Sequence, residues 1–167
     1  MVARLQPTSA PARYNVGVAL EASGRTGDAA PQYEAALRLD PSYSLAHNNL
    51  GNLRLAAGRV DEARREYEAA VASGPRNAEA HNNLGAAHLA SGDAAAAIPP
   101  LTRAIALRPI YPEAHFNLAR AYAATGQFEA AIRAAATAQT QAADAGKTDL
   151  LARIREQLQI YRDAAKR

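Results

Sequence analysis

Cysteine and tryptophan are absent from this chain of 167 residues, and phenylalanine occurs only twice. Without cysteine, neither a disulfide framework nor a thiolate metal site can form. The scarcity of aromatic residues argues against a β-sheet protein, because strands favour aromatic and β-branched side chains. Alanine is abundant instead, which suits helices that pack closely through small side chains. The composition therefore favours an all-α fold.

Long apolar runs and a large charge excess are also missing. No stretch is long enough to span a bilayer, and the first ten residues lack the apolar centre of a secretion signal. The net charge is +3, and residues 146–167 account for all of it with six basic and three acidic side chains. Nucleic-acid-binding proteins usually carry a larger basic surface. We therefore expect no nucleic-acid partner and no membrane insertion. A cytoplasmic location is favoured, and a periplasmic one stays open if the chain is a fragment.

A period of 34 residues organises most of the sequence. The segment HNNLG occurs at 47–51 and again at 81–85, HFNLA follows at 115–119, and the diverged copy RYNVG precedes them at 13–17. Four sets of small or turn-forming residues keep the same interval: Gly24, Gly58, Gly92 and Gly126; Ala29, Ala63, Ala97 and Ala131; Ala36, Ala70, Ala104 and Ala138; and Pro41, Pro75 and Pro109. The period divides residues 10–145 into units 10–43, 44–77, 78–111 and 112–145.

Each set of residues that recurs with the period has a physical reason. The glycine set ends the first helix of each unit, where a left-handed backbone is needed. The two alanine sets lie seven residues apart on one face of the second helix and permit close helix packing. The proline set marks the passage to the next unit, because proline does not continue a helix. Each unit is therefore predicted to be a helix, a tight turn and a second helix.

This pattern resembles the tetratricopeptide repeat (TPR) family over residues 10–145. The resemblance implies a right-handed α-solenoid of four helix-turn-helix units. Two departures from the family pattern concern aromatic residues. The place early in the first helix holds Arg13 and three histidines, and the second-helix aromatic is kept as Tyr33 and Tyr67 but replaced by Leu101 and Ala135. The later units should therefore pack with less aromatic bulk.

The two ends of the chain and one second helix carry further expectations. Residues 146–167 repeat apolar side chains at helical spacing, which predicts an amphipathic helix that caps the array, with Thr148 as its N-cap. Residues 1–9 are expected to be disordered, which leaves the first unit uncapped and open to homo-oligomer formation. The Pro99–Pro100 pair predicts that the second helix of the third unit starts late or kinks near Ile98.

Asparagine recurs on the first helices, which line the concave groove in the TPR family. A side-chain amide both donates and accepts, so a row of amides can pair with the main chain of an extended peptide. This arrangement resembles the asparagine ladder in the repeat arrays of O-linked N-acetylglucosamine transferases. The alternative is that the amides only brace the helix pair. The candidate peptide-binding residues are Tyr14, Asn15, Asn48, Asn49, Asn52, Asn82, Asn83, Phe116, Asn117 and Arg120.

Other kinds of site find little support in the sequence. His47, His81 and His115 occupy equivalent places on successive units, so they are too far apart for one metal ion and are interpreted as packing residues. Residues 146–148 read GKT, but Gln141 replaces the glycine that a phosphate loop needs. No catalytic motif is present. We therefore expect no metal, no cofactor and no enzymatic activity.

Three functions remain in competition at this stage. The leading one is a non-catalytic interaction scaffold that binds a peptide or protein segment in an asparagine-lined groove. The second is an accessory module that presents substrate within a larger enzyme, such as a glycosyltransferase, or a membrane protein. The third is a self-assembling structural unit. The length of the natural protein would separate the first two, and a concentration-dependent mass in solution would indicate the third.

Overall fold

The computed structural model describes residues 8–166, which form helices and turns and contain no strand within that range. The all-α class predicted from the sequence is confirmed. The helices are α1 (Ala10–Ala22), α2 (Thr26–Leu39), α3 (Ser44–Ala56), α4 (Val60–Ser73), α5 (Ala78–Ala90), α6 (Ala94–Leu107), α7 (Pro112–Ala124), α8 (Phe128–Asp144) and α9 (Thr148–Ala164).

The helices are divided between two compact units, Met1–Pro75 and Arg76–Arg167. In the first unit, α1 packs against α2 and α3 against α4, while α2 also contacts α3. Its core includes Tyr33 and Leu50, which are almost completely excluded from solvent together with several alanines. The small alanine side chains allow the helix backbones to approach one another closely.

The second unit repeats this arrangement and ends in α9. Helices α5 and α6 form one pair, α7 and α8 form the next, and α9 packs against α8. The buried face of α9 carries Ile154, Leu158 and Tyr161, which join the alanines of α8 in one apolar cluster. Charged or polar side chains occupy most of the exposed positions of α9, apart from Ala152 and Ile160, so this helix covers apolar surface of α8 and presents a mainly polar side to solvent.

Glycine ends the first helix of every pair in a left-handed conformation, as predicted. The φ angles of Gly24, Gly58, Gly92 and Gly126 lie between 74° and 83°. In each turn the glycine N–H bonds a carbonyl three residues earlier, and the next N–H bonds one five residues earlier. These bonds satisfy carbonyl groups at the helix end and direct the chain straight into the second helix.

Of the two alternatives predicted from the Pro99–Pro100 pair, a late start of α6 is wrong, and a kink near Ile98 stays a prediction. Helix α6 begins at Ala94, where the Asp93 side chain accepts a hydrogen bond from the Ala96 N–H, and it continues through Pro99 and Pro100 to Leu107. The prolines lie on the outer side, so the carbonyl groups that lose a helical partner are not forced into the core. The buried side chains Ala97, Leu101 and Ala104 stabilise the helix on its opposite face.

The prediction of Thr148 as an N-cap is also wrong. Thr148 is the first residue of α9, and Lys147 precedes the helix without a side-chain cap. At the other end of the chain, the predicted disorder of residues 1–9 falls mostly on residues 1–7, outside the described part. Ser9 is described, and its hydroxyl accepts a hydrogen bond from the Ala12 N–H at the start of α1. Between residues 8 and 166, no helix is long and apolar enough to cross a membrane.

Candidate functional site

The candidate peptide-binding residues lie on the first helices of the four pairs, but at different depths. Asn15 and Arg120 are exposed, and Asn49, Asn52, Asn83 and Asn117 are half-buried. These six residues are all at least partly exposed to solvent. Tyr14 is half-buried beside them in the first unit. The surface available to a ligand is therefore polar, and its side chains differ in how deeply they are buried.

Three residues predicted to line the groove are instead buried. Asn48, Asn82 and Phe116 expose only 2%, 7% and 4% of their surface. They occupy equivalent positions, each directly preceding one of the asparagines Asn49, Asn83 and Asn117, which are called the ladder asparagines below. That position faces inward, and Phe116 there joins the apolar cluster that also contains Ile154 and Leu158. Contact between a ligand and these three side chains would require neighbouring side chains to move.

In the first unit, the ladder amide braces two tyrosines. The Asn49 Nδ2 donates to the hydroxyl of Tyr33 at 3.2 Å and to that of Tyr14 at 3.4 Å. The Asn49 Oδ1 accepts from the Asn48 side chain at 3.4 Å. Burial raises the pKa of Tyr33, and a hydrogen bond from its hydroxyl to Glu21 adds to this effect. Asn49 therefore has a fixed orientation between two helix pairs.

In the second unit, an equivalent network joins α5 to α7. The Asn117 Nδ2 donates to the Asn82 Oδ1 at 3.1 Å, and the Asn117 Oδ1 accepts from the Arg120 Nη1 at 3.3 Å. The Asn82 Nδ2 donates to the Asn83 Oδ1 at 3.3 Å. The bonds from Asn49 to Tyr14 and from Asn117 to Asn82 both span 35 residues. Each connects a ladder amide with the inward-facing residue of the preceding first helix.

A cavity of about 290 Å³ opens in the second unit beside this network. Leu89 of α5, Ala94 of α6 and Ala123 of α7 give it apolar walls, and Arg120 of α7 and Tyr161 of α9 bring polar groups to it. Burial raises the pKa of the Tyr161 hydroxyl, while the positive charge of Arg120 acts in the opposite direction. The hydroxyl is therefore a neutral hydrogen-bond donor at physiological pH.

Sequence reasoning found Arg120 but missed the other residues around this cavity. Tyr161 belongs to residues 146–167, for which the sequence predicts only a capping helix. Leu89 and Ala94 belong to no recognisable sequence motif. The available signal was the 34-residue period, which places α9 after α8 as the first helix of a further pair. That period does not reveal that Tyr161, 41 residues after Arg120, lies beside it.

The histidines take part in packing and ion pairing. His47 Nδ1 lies 2.6 Å from a Glu66 carboxylate oxygen, and this hydrogen bond raises the pKa of His47. Arg54 lies 2.8 Å from the other Glu66 oxygen and also approaches Glu34 and Glu62. His115 bonds the Pro109 carbonyl. The described residues include no cluster of three or more His, Asp or Glu side chains arranged to hold a metal ion.

Several solved structures share this helical architecture. No curated protein matches the sequence at a significant level. Among solved structures, the MamA protein is 24% identical with a TM-score of 0.74, and the match covers 94% of this chain and 86% of that one. YrrB, described as a TPR protein with an unusual peptide-binding site, is 23% identical with a TM-score of 0.65 and coverages of 93% and 91%.

A third solved structure is PcrH in complex with the chaperone binding region of PopD. It is 22% identical with a TM-score of 0.67, and the match covers 72% of this chain and 91% of PcrH. At these identities, the likeness concerns the fold. Two models of the tetratricopeptide repeat family also match, one at residues 2–44, 14–64 and 48–109 and the other at residues 88–157. The chain therefore belongs to the tetratricopeptide repeat family.

Proposed function

We propose that this protein is a non-catalytic scaffold that binds a segment of another protein along the first helices of its repeats. The observation that carries the proposal is the fixed orientation of half-buried amides in both units. Asn49 is held by two tyrosine hydroxyls, and Asn117 is held by Asn82 and Arg120. Side chains that are already ordered lose little conformational entropy when a ligand binds.

The oriented amides retain capacity for a ligand. An Asn side chain offers two N–H donors and two lone pairs on its oxygen. Asn117 uses one donor and one lone pair within the described chain, so one of each is left for a peptide group. Asn15 is exposed and makes no side-chain hydrogen bond with residues 8–166. Such amides can pair with backbone groups whatever the side chains of the bound segment.

The solved relatives agree with this class of partner. YrrB is described as having a peptide-binding site, and PcrH was solved with a segment of PopD bound. Since both share only the fold with this chain, they support the kind of partner and not its identity. The predicted homo-oligomer and the likeness to O-linked N-acetylglucosamine transferase arrays stay predictions.

A peptide display selection tests the proposal. A library of random peptides about twelve residues long, enough for an extended segment to span roughly 40 Å, is panned against the wild type and against an Asn15→Ala/Asn117→Ala variant. The matched control, Glu68→Ala/Arg133→Ala, changes two exposed side chains on second helices. We expect the wild type and the control to enrich the same peptides and the asparagine variant to lose them.

Circular dichroism verifies that each variant is folded. Asn15→Ala alone is panned as well, because Asn117 also satisfies the buried Asn82 oxygen and its loss affects stability. Unchanged enrichment by both asparagine variants would place binding elsewhere. If the wild type enriches no peptide, the scaffold proposal itself fails.

A further inference from the structure

The cavity of the second unit has the chemistry to select one kind of peptide side chain. Its volume of about 290 Å³ lies at the lower end of the range for small-molecule clefts, and it suits one or two amino-acid side chains. Leu89, Ala94 and Ala123 supply apolar surface from three different helices. An apolar side chain would replace water against these walls.

Arg120 contributes a positive charge that forms no ion pair within the described part of the chain. Within residues 8–166 its guanidinium donates only to the neutral Asn117 oxygen and forms no ion pair. Arg54 and Arg25 differ in this respect, since Arg54 contacts three glutamates and Arg25 pairs with Asp28. A guanidinium has five N–H donors, so Arg120 can still bind a carboxylate in a bidentate manner.

Tyr161 provides a second donor at the same cavity. Its side chain is largely buried, its ring packs in the α8–α9 cluster, and its hydroxyl makes no hydrogen bond with the described part of the chain. Both Arg120 and Tyr161 line the cavity, and the charge of Arg120 acts on the Tyr161 hydroxyl. Asp93, which lies between the lining residues Gly92 and Ala94, is engaged in capping α6. Two donors thus line one cavity, and within residues 8–166 neither of them is paired with a carboxylate.

We infer that this cavity is a specificity pocket for an acidic side chain adjacent to an apolar one in the bound protein segment. The carboxylate binds between Arg120 and Tyr161, and the apolar side chain packs against Leu89, Ala94 and Ala123. This inference rests on the proposed scaffold function and adds selectivity to it. The oriented amides hold the main chain of the segment, and the pocket determines which sequence is preferred.

The test uses four blocked peptides of equal length that differ at two central residues. The first of these is Leu or Gly, and the second is Glu or Gln. Binding to the isotopically labelled wild-type protein is measured from the changes in its amide chemical shifts in NMR spectra. We expect the Leu-Glu peptide to bind most tightly and to shift amides of residues 89–94, 120–124 and 157–161. Replacement of Glu by Gln should weaken binding about tenfold, as loss of a charge-assisted pair implies.

Variants then separate the pocket from the rest of the surface. Arg120→Gln should bind the Glu and Gln peptides equally, and Tyr161→Phe should weaken only the Glu peptides, by about threefold. The controls Arg133→Gln and Tyr43→Phe remove a similar charge and hydroxyl outside the pocket lining, Tyr43 from the first unit, and should match the wild type. Raising NaCl from about 50 to about 500 mM should weaken the Leu-Glu complex of the wild type but not that of Arg120→Gln.

The outcomes distinguish this inference from the proposed function. If the four peptides bind equally, or Arg120→Gln retains the preference for Glu, the pocket inference is overturned. Shifts that map away from the pocket overturn it as well. Peptides enriched by display would still support the scaffold function in either case. Absence of any display-selected peptide would refute both.

Discussion

The glycine in the middle of α1, α3 and α5 is predicted to be required by the bulky residue opposite it. We take Gly51→Ala as the perturbation. A Cβ atom at Gly51 would lie 2.6 Å from Cε1 and 2.9 Å from Cδ1 of Tyr67, whereas carbon atoms in contact normally lie at about 3.5–4.0 Å. Tyr67 is completely buried, and its hydroxyl donates to the Asn52 Oδ1 at 2.8 Å. The ring therefore cannot move without losing packing and this bond.

The magnitude follows from three opposing contributions. Alanine gains about 1 kcal/mol over glycine in a helix interior. Overpacking a core costs about 1–3 kcal/mol, and loss of the Tyr67 hydrogen bond costs about 1 kcal/mol more. The net expectation is that Gly51→Ala lowers the free energy of unfolding by about 1–3 kcal/mol. Urea denaturation followed by circular dichroism measures this change.

The chain provides two matched controls for this prediction. At Gly27 a Cβ atom would meet nothing within 4 Å, so Gly27→Ala should be neutral or stabilising by up to about 1 kcal/mol. In the fourth repeat, Ala119 already stands in the place of Gly51, and Ala135 stands in the place of Tyr67. In a Tyr67→Ala background, Gly51→Ala should therefore become stabilising. If Gly51→Ala and Gly27→Ala have the same effect in the wild type, the steric reasoning is refuted.

Three further predictions concern turns, caps and pH. Gly92→Ala places a side chain at a φ of +83° and should lower the free energy of unfolding by about 1–2 kcal/mol, measured by denaturation; no loss would contradict the left-handed requirement. Asn77→Ala removes the acceptor for two N–H groups in the first turn of α5 and should cost about 1 kcal/mol, while Asn77→Asp should retain most of the stability. NMR titration should find the pKa of His47 above its usual value of about 6.5 and closer to it in Glu66→Gln. Because the folded pKa is raised, the stability from this pair is fully present below the unfolded pKa and is lost as the pH rises through the folded pKa. A wild-type stability that is flat across this window, or equal pH dependence in Glu66→Gln, would argue against the pair.

The all-α fold class and the positions of the turns could be predicted because they depend on local backbone preferences. A glycine is needed wherever the backbone becomes left-handed, so Gly24, Gly58, Gly92 and Gly126 could be placed from the sequence alone. The alanines of the second helices could likewise be assigned to buried faces, and all eight are fully buried. Proline was less informative, because tertiary packing holds α6 together through Pro99 and Pro100.

The candidate site could be predicted only in part, because the exposure of a side chain depends on what packs above it. The sequence identified the asparagines of the first helices but treated neighbours in the chain as equally accessible. Asn48, Asn82 and Phe116 are buried, whereas the residues that follow them in sequence are half-exposed. Successive side chains of a helix point in directions about 100° apart, which is enough to bury one side chain and leave the next half-exposed.

The sequence by itself determined the repeat family, the helix-turn-helix pairs and the first helices as carriers of a polar row, because each depends on periodicity and on local backbone preference. Only the tertiary structure decided which amides are braced and which atoms they leave free. Only the tertiary structure also brought Tyr161 of α9 to Arg120 of α7 beside apolar walls from α5 and α6. Such a pocket joins residues distant in sequence, and their meeting is fixed by the packing of whole helices, which no local pattern encodes.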